Sequence, residues 1–224
     1  MESADLMQSL SQLKPGKHLC FLYDRDEDHR SFSTAYMRLG LERGEKVLYI
    51  TDARPADAIF DYLRNDGLEI EPYIHSGQLT VLSSHDVYMK DGVFDPDKMI
   101  AQVEAATDQA LAEGYSALRA TGEMSWALTG MSGSERLIEY ESKLNDYFPE
   151  SKCLAVCQYD RRLFKPELLL NVLSTHPGVI VGSGVYENSF YMPPSEIPSD
   201  YSSPLYFDYR TTNLSDGRWA EELD

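Results

Sequence analysis

The sequence is short of cysteine, of basic charge and of long apolar runs, and each shortage excludes something. Three cysteines, Cys20, Cys153 and Cys157, are too few for a disulfide framework, and an odd, low count fits reduced thiols. There is no Cys-x-x-Cys or His-x-x-x-His pair, so no motif points to a metal and neither metal nor cofactor is expected. No stretch approaches the roughly 18 consecutive apolar residues of a bilayer-spanning helix. Residues 1–17 place Glu2 and Asp5 where a signal peptide would be basic, and no apolar segment follows, so a cytoplasmic protein is expected. Lys and Arg number 20 against 37 Asp and Glu, a formal charge of −17 with a pI near 4.6. A surface built on phosphate contacts is excluded by that balance, and with it a direct nucleic-acid partner. The charge instead supplies solubility and weak self-repulsion.

What is present is ordinary globular material: 224 residues, 42% hydrophobic and 25% charged, enough for one large domain with a short appendage. Short apolar runs at 18–23, 46–51, 78–82, 116–120, 153–158 and 178–182 read as strands covered on both faces, with Arg119 an exception inside one of them. Between them lie helical patterns. Residues 29–43 carry Phe32, Ala35, Tyr36 and Leu39 on one stripe ahead of Gly44, and residues 55–66 run from Pro55 past Ile59 and Leu63 to Gly67. Asp95-Pro96 opens a helix as cap and first-turn proline, Ser132 and Glu135 have capping-box spacing before Leu137, and Pro166 opens a helix closed by His176-Pro177.

Alternation of this kind predicts an α/β fold, a parallel sheet with right-handed crossovers. After Gly178 a C-terminal hairpin turning at Gly182-Ser183-Gly184 makes the sheet mixed at one edge. The expected organisation is one domain over 1–194 and an acidic, Pro/Ser-containing tail or linker over 195–224, with 7 acidic and 2 basic residues, where an output module would begin.

Ligands of open parallel sheets bind beyond the carboxyl ends of the strands. After strand one the chain reads Tyr23-Asp24-Arg25-Asp26-Glu27-Asp28-His29, with no glycine, no Lys-Ser/Thr pair and four carboxylates. Such a loop cannot wrap backbone N–H groups round a phosphate and would repel a triphosphate. The plainer role of the run from Asp24 to Asp28 is a solvated loop that brings negative charge to a helix N-terminus. There is no Gly-x-Ser-x-Gly elbow, and no catalytic residues are assigned.

The run Arg38-Leu-Gly-Leu-Glu-Arg-Gly-Glu-Lys-Val-Leu-Tyr-Ile-Thr51 is similar to the first helix and second strand of RecA/KaiC-type ATPases. Residues 18–23, Ser83-Ser-His-Asp-Val-Tyr88, Thr121-Gly-Glu-Met-Ser-Trp126 and Cys157-Gln-Tyr-Asp-Arg161, with the leucine-rich stretch from Leu169 to Leu173, narrow the likeness. Together they resemble the MEDS family of methanogen/methylotroph sensory domains over roughly 15–194. The resemblance implies a RecA-like fold put to sensing small hydrocarbon derivatives, often joined to histidine kinases or helix-turn-helix regulators. Three departures from the ATPase pattern agree. The phosphate loop is missing, Asp52-Ala53-Arg54 replaces the glutamates expected after strand two, and Ala120-Thr121 replaces the magnesium-binding aspartate. Glu123 alone is poor support for phosphoryl transfer, so no enzyme is expected.

The strand order implied by the resemblance puts strand one between strands four and five. Tyr23 and Asp24 would then face Glu123, Met124 and Trp126 on one side and Gln158, Tyr159 and Asp160 on the other. Tyr, Trp and Met would form an apolar wall, with the carboxylates orienting one polar group of a small ligand. The competing reading makes Trp126 and Tyr159 ordinary core aromatics and Glu123 and Asp160 helix caps. Four residues are secondary candidates: Cys20 and Cys157 on adjacent strands, able to share a metal with a histidine but more usually small hydrophobes, and His85 and Arg161 near the rim. The function expected is a non-enzymatic sensory domain. Its ligand would be a small molecule and its partner a histidine kinase or transcription regulator, with homo-oligomerisation open. The alternatives are a degenerate nucleotide-binding relative of the RecA/KaiC group and an oligomeric scaffold.

Overall fold

The computed structural model describes residues 2–197, so the expected tail lies, from residue 198 onward, outside the described residues. The strands are β1 (Lys17–Tyr23), β2 (Lys46–Thr51), β3 (Leu79–Ser83), β4 (Leu118–Glu123), β5 (Cys153–Asp160), β6 (Gly178–Val181) and β7 (Gly184–Glu187). They form one sheet in the order β3-β2-β4-β5-β1-β6-β7, parallel except for the β6–β7 hairpin. Helices α1 (Glu2–Ser11), α2 (Asp26–Glu42) and α3 (Ala56–Asn65) cover one face; short helices α4 (Glu71–His75) and α5 (Ser84–Val87) flank β3. Helices α6 (Pro96–Ala112), α7 (Leu137–Tyr147) and α8 (Pro166–Thr175) cover the other. The fold is thus the expected parallel α/β sheet, mixed at one edge.

The strand order corrects one expectation. Strand one does not lie between strands four and five: β5 sits between β4 and β1, and β1 pairs with β5 and β6. β5 is buried along all eight residues, the pattern of a strand with sheet on both sides and helices on both faces. β1 instead begins at the exposed Lys17. The β1–β5 register sets Cys20 opposite Cys157, so the expected adjacency of those two thiols holds.

β4 begins two residues later than the run 116–120 suggests, because Tyr115 and Ser116 spend their N–H groups on Ala110 and Gly44 before the ladder starts. Arg119, the exception in that run, is fully buried on β4. Its Nε donates to the Glu45 carboxylate and its guanidinium lies over the Tyr36 ring, 4.7 Å from the centroid. Gly40 makes room for it, since a Cβ there would stand 2.7 Å from Arg119 Cδ. Asp95 caps α6 as expected, accepting from the N–H groups of Asp97 and Lys98. Ser132 and Glu135 do not form the expected capping box. Gly133 turns the chain at φ +89°, where a Cβ would meet Phe94 O at 2.1 Å, and a 3₁₀ turn over Ser134–Arg136 leads into α7.

Candidate functional site

β1, β5, β4 and β2 end side by side at the carboxyl edge, and a cleft of about 200 Å³ opens there. Tyr23, Arg54, Glu123, Gln158 and Asp160 line it, with Ala53, Met124, Ser125, Arg162 and Leu163 completing its walls. Glu123, the last residue of β4, anchors the floor. Its Oε2 accepts the backbone N–H groups of Asp52 (2.9 Å) and Ala53 (2.7 Å), just past β2. Its Oε1 accepts from the Tyr49 hydroxyl (3.1 Å) and lies 3.2 Å from His29 Nε2 and 3.5 Å from an Arg54 guanidinium nitrogen. Burial pushes the Glu123 carboxyl up, but the His29 ring and the two N–H groups outweigh it and hold the group below its ordinary range. It is a carboxylate at neutral pH.

The other groups extend this network. Gln158 Nε2 donates to Thr121 Oγ1 at 2.8 Å, and its Oε1 stands 3.4 Å from the Tyr49 hydroxyl. Burial, with Glu123 close by, pushes the Tyr23 phenol up, so it stays a neutral donor beside Arg54. Asp160 takes Arg162 in a two-point grip at 2.9 and 2.6 Å, and Asp26, at the start of α2, accepts from both Arg162 and Arg54 at 2.9 Å. Nothing here cradles a phosphate. The first turn of α2 holds Asp26, Glu27 and Asp28 where an anion would sit, and the two backbone N–H groups after β2 are already given to Glu123.

Five of the expected residues meet at the cleft: Tyr23, Glu123, Met124, Gln158 and Asp160. Asp24 points to solvent, 3.6 Å from Arg161, which is also exposed. Trp126 and Tyr159 do not form the expected apolar wall. Trp126, in the 3₁₀ turn Ser125–Leu128, is fully buried and stacks on Tyr88 at 4.5 Å. Tyr159 follows the strand alternation to the opposite face of the sheet from Gln158 and Asp160 and donates to Glu141 Oε1 at 2.5 Å. The cleft is therefore a polar, ion-paired recess with Met124 and Leu163 as its apolar parts. His85 is exposed beside Asp86, away from it. Sequence reasoning missed Arg54, His29 and Tyr49. Arg54 stands directly after β2, at the rim, and position alone could have found it. His29 opens the helix expected over 29–43, directly after the acidic run read as a solvated loop, and it is fully buried.

Cys20 and Cys157 lie behind the sheet. Burial pushes all three thiols up, Cys153 to about 12, so none is a thiolate on its own at neutral pH. On that face His18 (β1), Glu141 (α7), Cys157 (β5) and His176, just after α8, converge, all buried, with one potential ligand atom from each within 4.8 Å of every other.

Residues 17–177 match the family described as MEDS, the methanogen/methylotroph, DcmR sensory domain. The chain is 27% identical over 164 residues to the transcriptional repressor DcmR of Methylorubrum extorquens, a stretch covering 71% of this chain and 57% of the repressor. It thus spans less than two thirds of that curated relative. Among solved structures, a KaiC-like protein of the hyperthermophilic archaeon Pyrococcus horikoshii OT3 superposes with a TM-score of 0.53 at 16% identity, covering 74% of this chain and 70% of the other. That likeness is one of fold.

Proposed function

The chain belongs to the MEDS family of sensory domains, and from that premise we propose that it is a ligand sensor rather than an ATPase, its ligand seated in the cleft at the carboxyl edge. The observation that carries the reading is Glu123: a charged, buried carboxylate fixed by the backbone just past β2 and by Tyr49 at the floor of an open recess. A rigid polar floor with Tyr23 and Gln158 beside it orients one polar group, while Met124 and Leu163 meet a short apolar body. A volume near 200 Å³ suits a molecule of only a handful of heavy atoms, given about 30 Å³ for one water in the liquid. Small hydrocarbon derivatives such as alcohols, haloalkanes or methylated compounds fit that description. A nucleoside triphosphate does not, and the acidic α2 terminus opposes it.

The ligand would act by preferring one of two arrangements of the rim, because only a difference in affinity between states shifts their populations. The output is transcriptional regulation, in keeping with the name of the relative, exerted through a regulator. A histidine kinase as the direct recipient is the competing outcome.

A thermal-shift screen of short alcohols, haloalkanes and methylated amines tests this. A true ligand at a hundredfold excess over its dissociation constant adds about 2.7 kcal/mol, which for a chain of this size raises the melting temperature by roughly 5–10 °C. That shift should vanish in Glu123→Gln and persist in His85→Ala. Failure of every compound to move the transition, or micromolar binding of ATP-magnesium that Glu123→Ala abolishes, overturns the reading.

A further inference from the structure

With its histidines neutral, the cluster behind the sheet has more acceptors than donors. Asn145 donates its amide N–H groups to the carbonyls of Glu141, Ser142 and Thr175, which fixes its Oδ1 as the atom facing His18 Nδ1 at 3.1 Å. His18 Nδ1 must therefore carry the proton. His176 Nδ1 stands 2.7 Å from the carbonyl of Val172, which can only accept, so it too is the protonated nitrogen. Both rings thus present Nε2 to the same point. His18 Nε2 lies 3.2 Å and His176 Nε2 3.4 Å from Glu141 Oε2, and among the described residues His176 Nε2 makes no hydrogen bond. Two imidazole lone pairs and a carboxylate oxygen confront one another in a buried site. The Cys157 thiol, 3.5 Å from Glu141 Oε2 and 3.6 Å from His18 Nε2, offers one weak proton among them. Tyr159 is already engaged with the other carboxylate oxygen.

We infer that this is a closed site for one divalent transition metal ion, zinc foremost, held by His18 Nε2, Glu141 Oε2, Cys157 Sγ and His176 Nε2. Four of the six edges of the ligand polyhedron measure 3.2, 3.4, 3.5 and 3.6 Å. A tetrahedral ion with bonds of about 2.0–2.3 Å requires edges of roughly 3.3–3.8 Å. The charges also close: two neutral imidazoles, one carboxylate and one thiolate carry −2, which a divalent ion cancels inside a buried site. Binding replaces the Cys157 thiol proton, which leaves to solvent, and no electron moves. Each imidazole already has its outer nitrogen fixed, by Asn145 Oδ1 and by Val172 O, the arrangement that aims histidine ligands. Nitrogen, sulfur and oxygen donors together favour zinc, iron or cobalt over magnesium or calcium. With four protein ligands and every one buried, the ion is structural, tying β1, β5, α7 and the end of α8. The inference is independent of what the cleft binds.

The test uses the full chain, untagged and never exposed to chelator. Elemental analysis should find about one zinc per chain, and dialysis against a strong chelator should remove it with a marked fall in melting temperature that zinc alone restores. Reconstitution with cobalt should give the intense visible bands of a tetrahedral ion and a near-ultraviolet thiolate-to-cobalt band, the latter lost in Cys157→Ser. Under about a tenth of an equivalent of any transition metal, with a cobalt spectrum like that of the free aqueous ion, overturns the inference. So does full metal retention in folded His18→Ala. If the variants fail to fold, the wild-type cobalt spectrum decides the matter.

Discussion

Each face of the sheet buries a carboxylate beside histidine, yet the two sites are opposites. Glu123 has more donors than it needs, two backbone N–H groups, a phenol and a nearby guanidinium, and it opens onto solvent through a cleft. Glu141 has one phenol and one thiol around it, faces two imidazole lone pairs, and is sealed. A donor-rich buried anion is complete and can wait for a ligand. An acceptor-rich cluster is incomplete and calls for a cation. Counting donors and lone pairs, rather than naming residues, separates the proposed recognition floor from the proposed metal centre.

The sharpest way to break the comparison is to delete each carboxylate. Glu141→Ala should cost about 3–5 kcal/mol in urea unfolding, since it leaves buried polar groups without their centre. Glu123→Gln should cost less, about 1–3 kcal/mol, because neighbours at an open cleft can recruit water. Equal losses would erase the distinction. Removing one phenol from each is the next test. Tyr159→Phe takes from Glu141 Oε1 the hydroxyl that donates to it and should cost roughly 1–3 kcal/mol, whereas Tyr49→Phe leaves Glu123 its backbone donors and should cost about 1 kcal/mol.

Acid should then dismantle the two sides in order. Burial, with His176 close by, holds the His18 ring below its ordinary range. The unfolded chain therefore takes up a proton near pH 6.5 that the folded chain refuses, and stability declines as pH falls below about 6.5, by at most about 1.4 kcal/mol per pH unit per proton. Glu123 is depressed below 4.5, so its contribution is intact above that value and is lost as pH falls through its folded pKa. Urea midpoints at pH 7.5, 5.5 and 4 in wild type and His18→Asn check this. The loss from 7.5 to 5.5 should shrink in the variant and the loss below 4.5 should not. The smallest effect belongs to His85→Ala, exposed and outside both sites, which should stay within about 0.5 kcal/mol.

Much of this was legible in the sequence. Short apolar runs and turn glycines marked six strands and the hairpin, because each signal is local. The acidic loop after β1 announced the missing phosphate cradle for the same reason. Strand order was not local and came out differently, with β5 rather than β1 next to β4. Tyr159 and Gln158 looked equivalent as rim residues, although alternation sends them to opposite faces. Of the Glu141 cluster, only Cys157 with an unnamed histidine was legible, paired with Cys20 rather than Glu141, because its four members come from four separate parts of the chain with no shared spacing.

That alternation has one more consequence. On β5, Cys157 and Tyr159 serve the sealed side while Gln158 and Asp160 serve the cleft; on β1, His18 and Cys20 face the former and Tyr23 the latter. Sliding β5 by a single residue would drop a thiol and a phenol at the rim and bury a carboxamide and a carboxylate in the opposite core. The central pair is thereby keyed in place like a zip with unequal teeth. A signal that started at the proposed cleft site would have to leave by the rim loops and helix ends, over a sheet held in register beneath them.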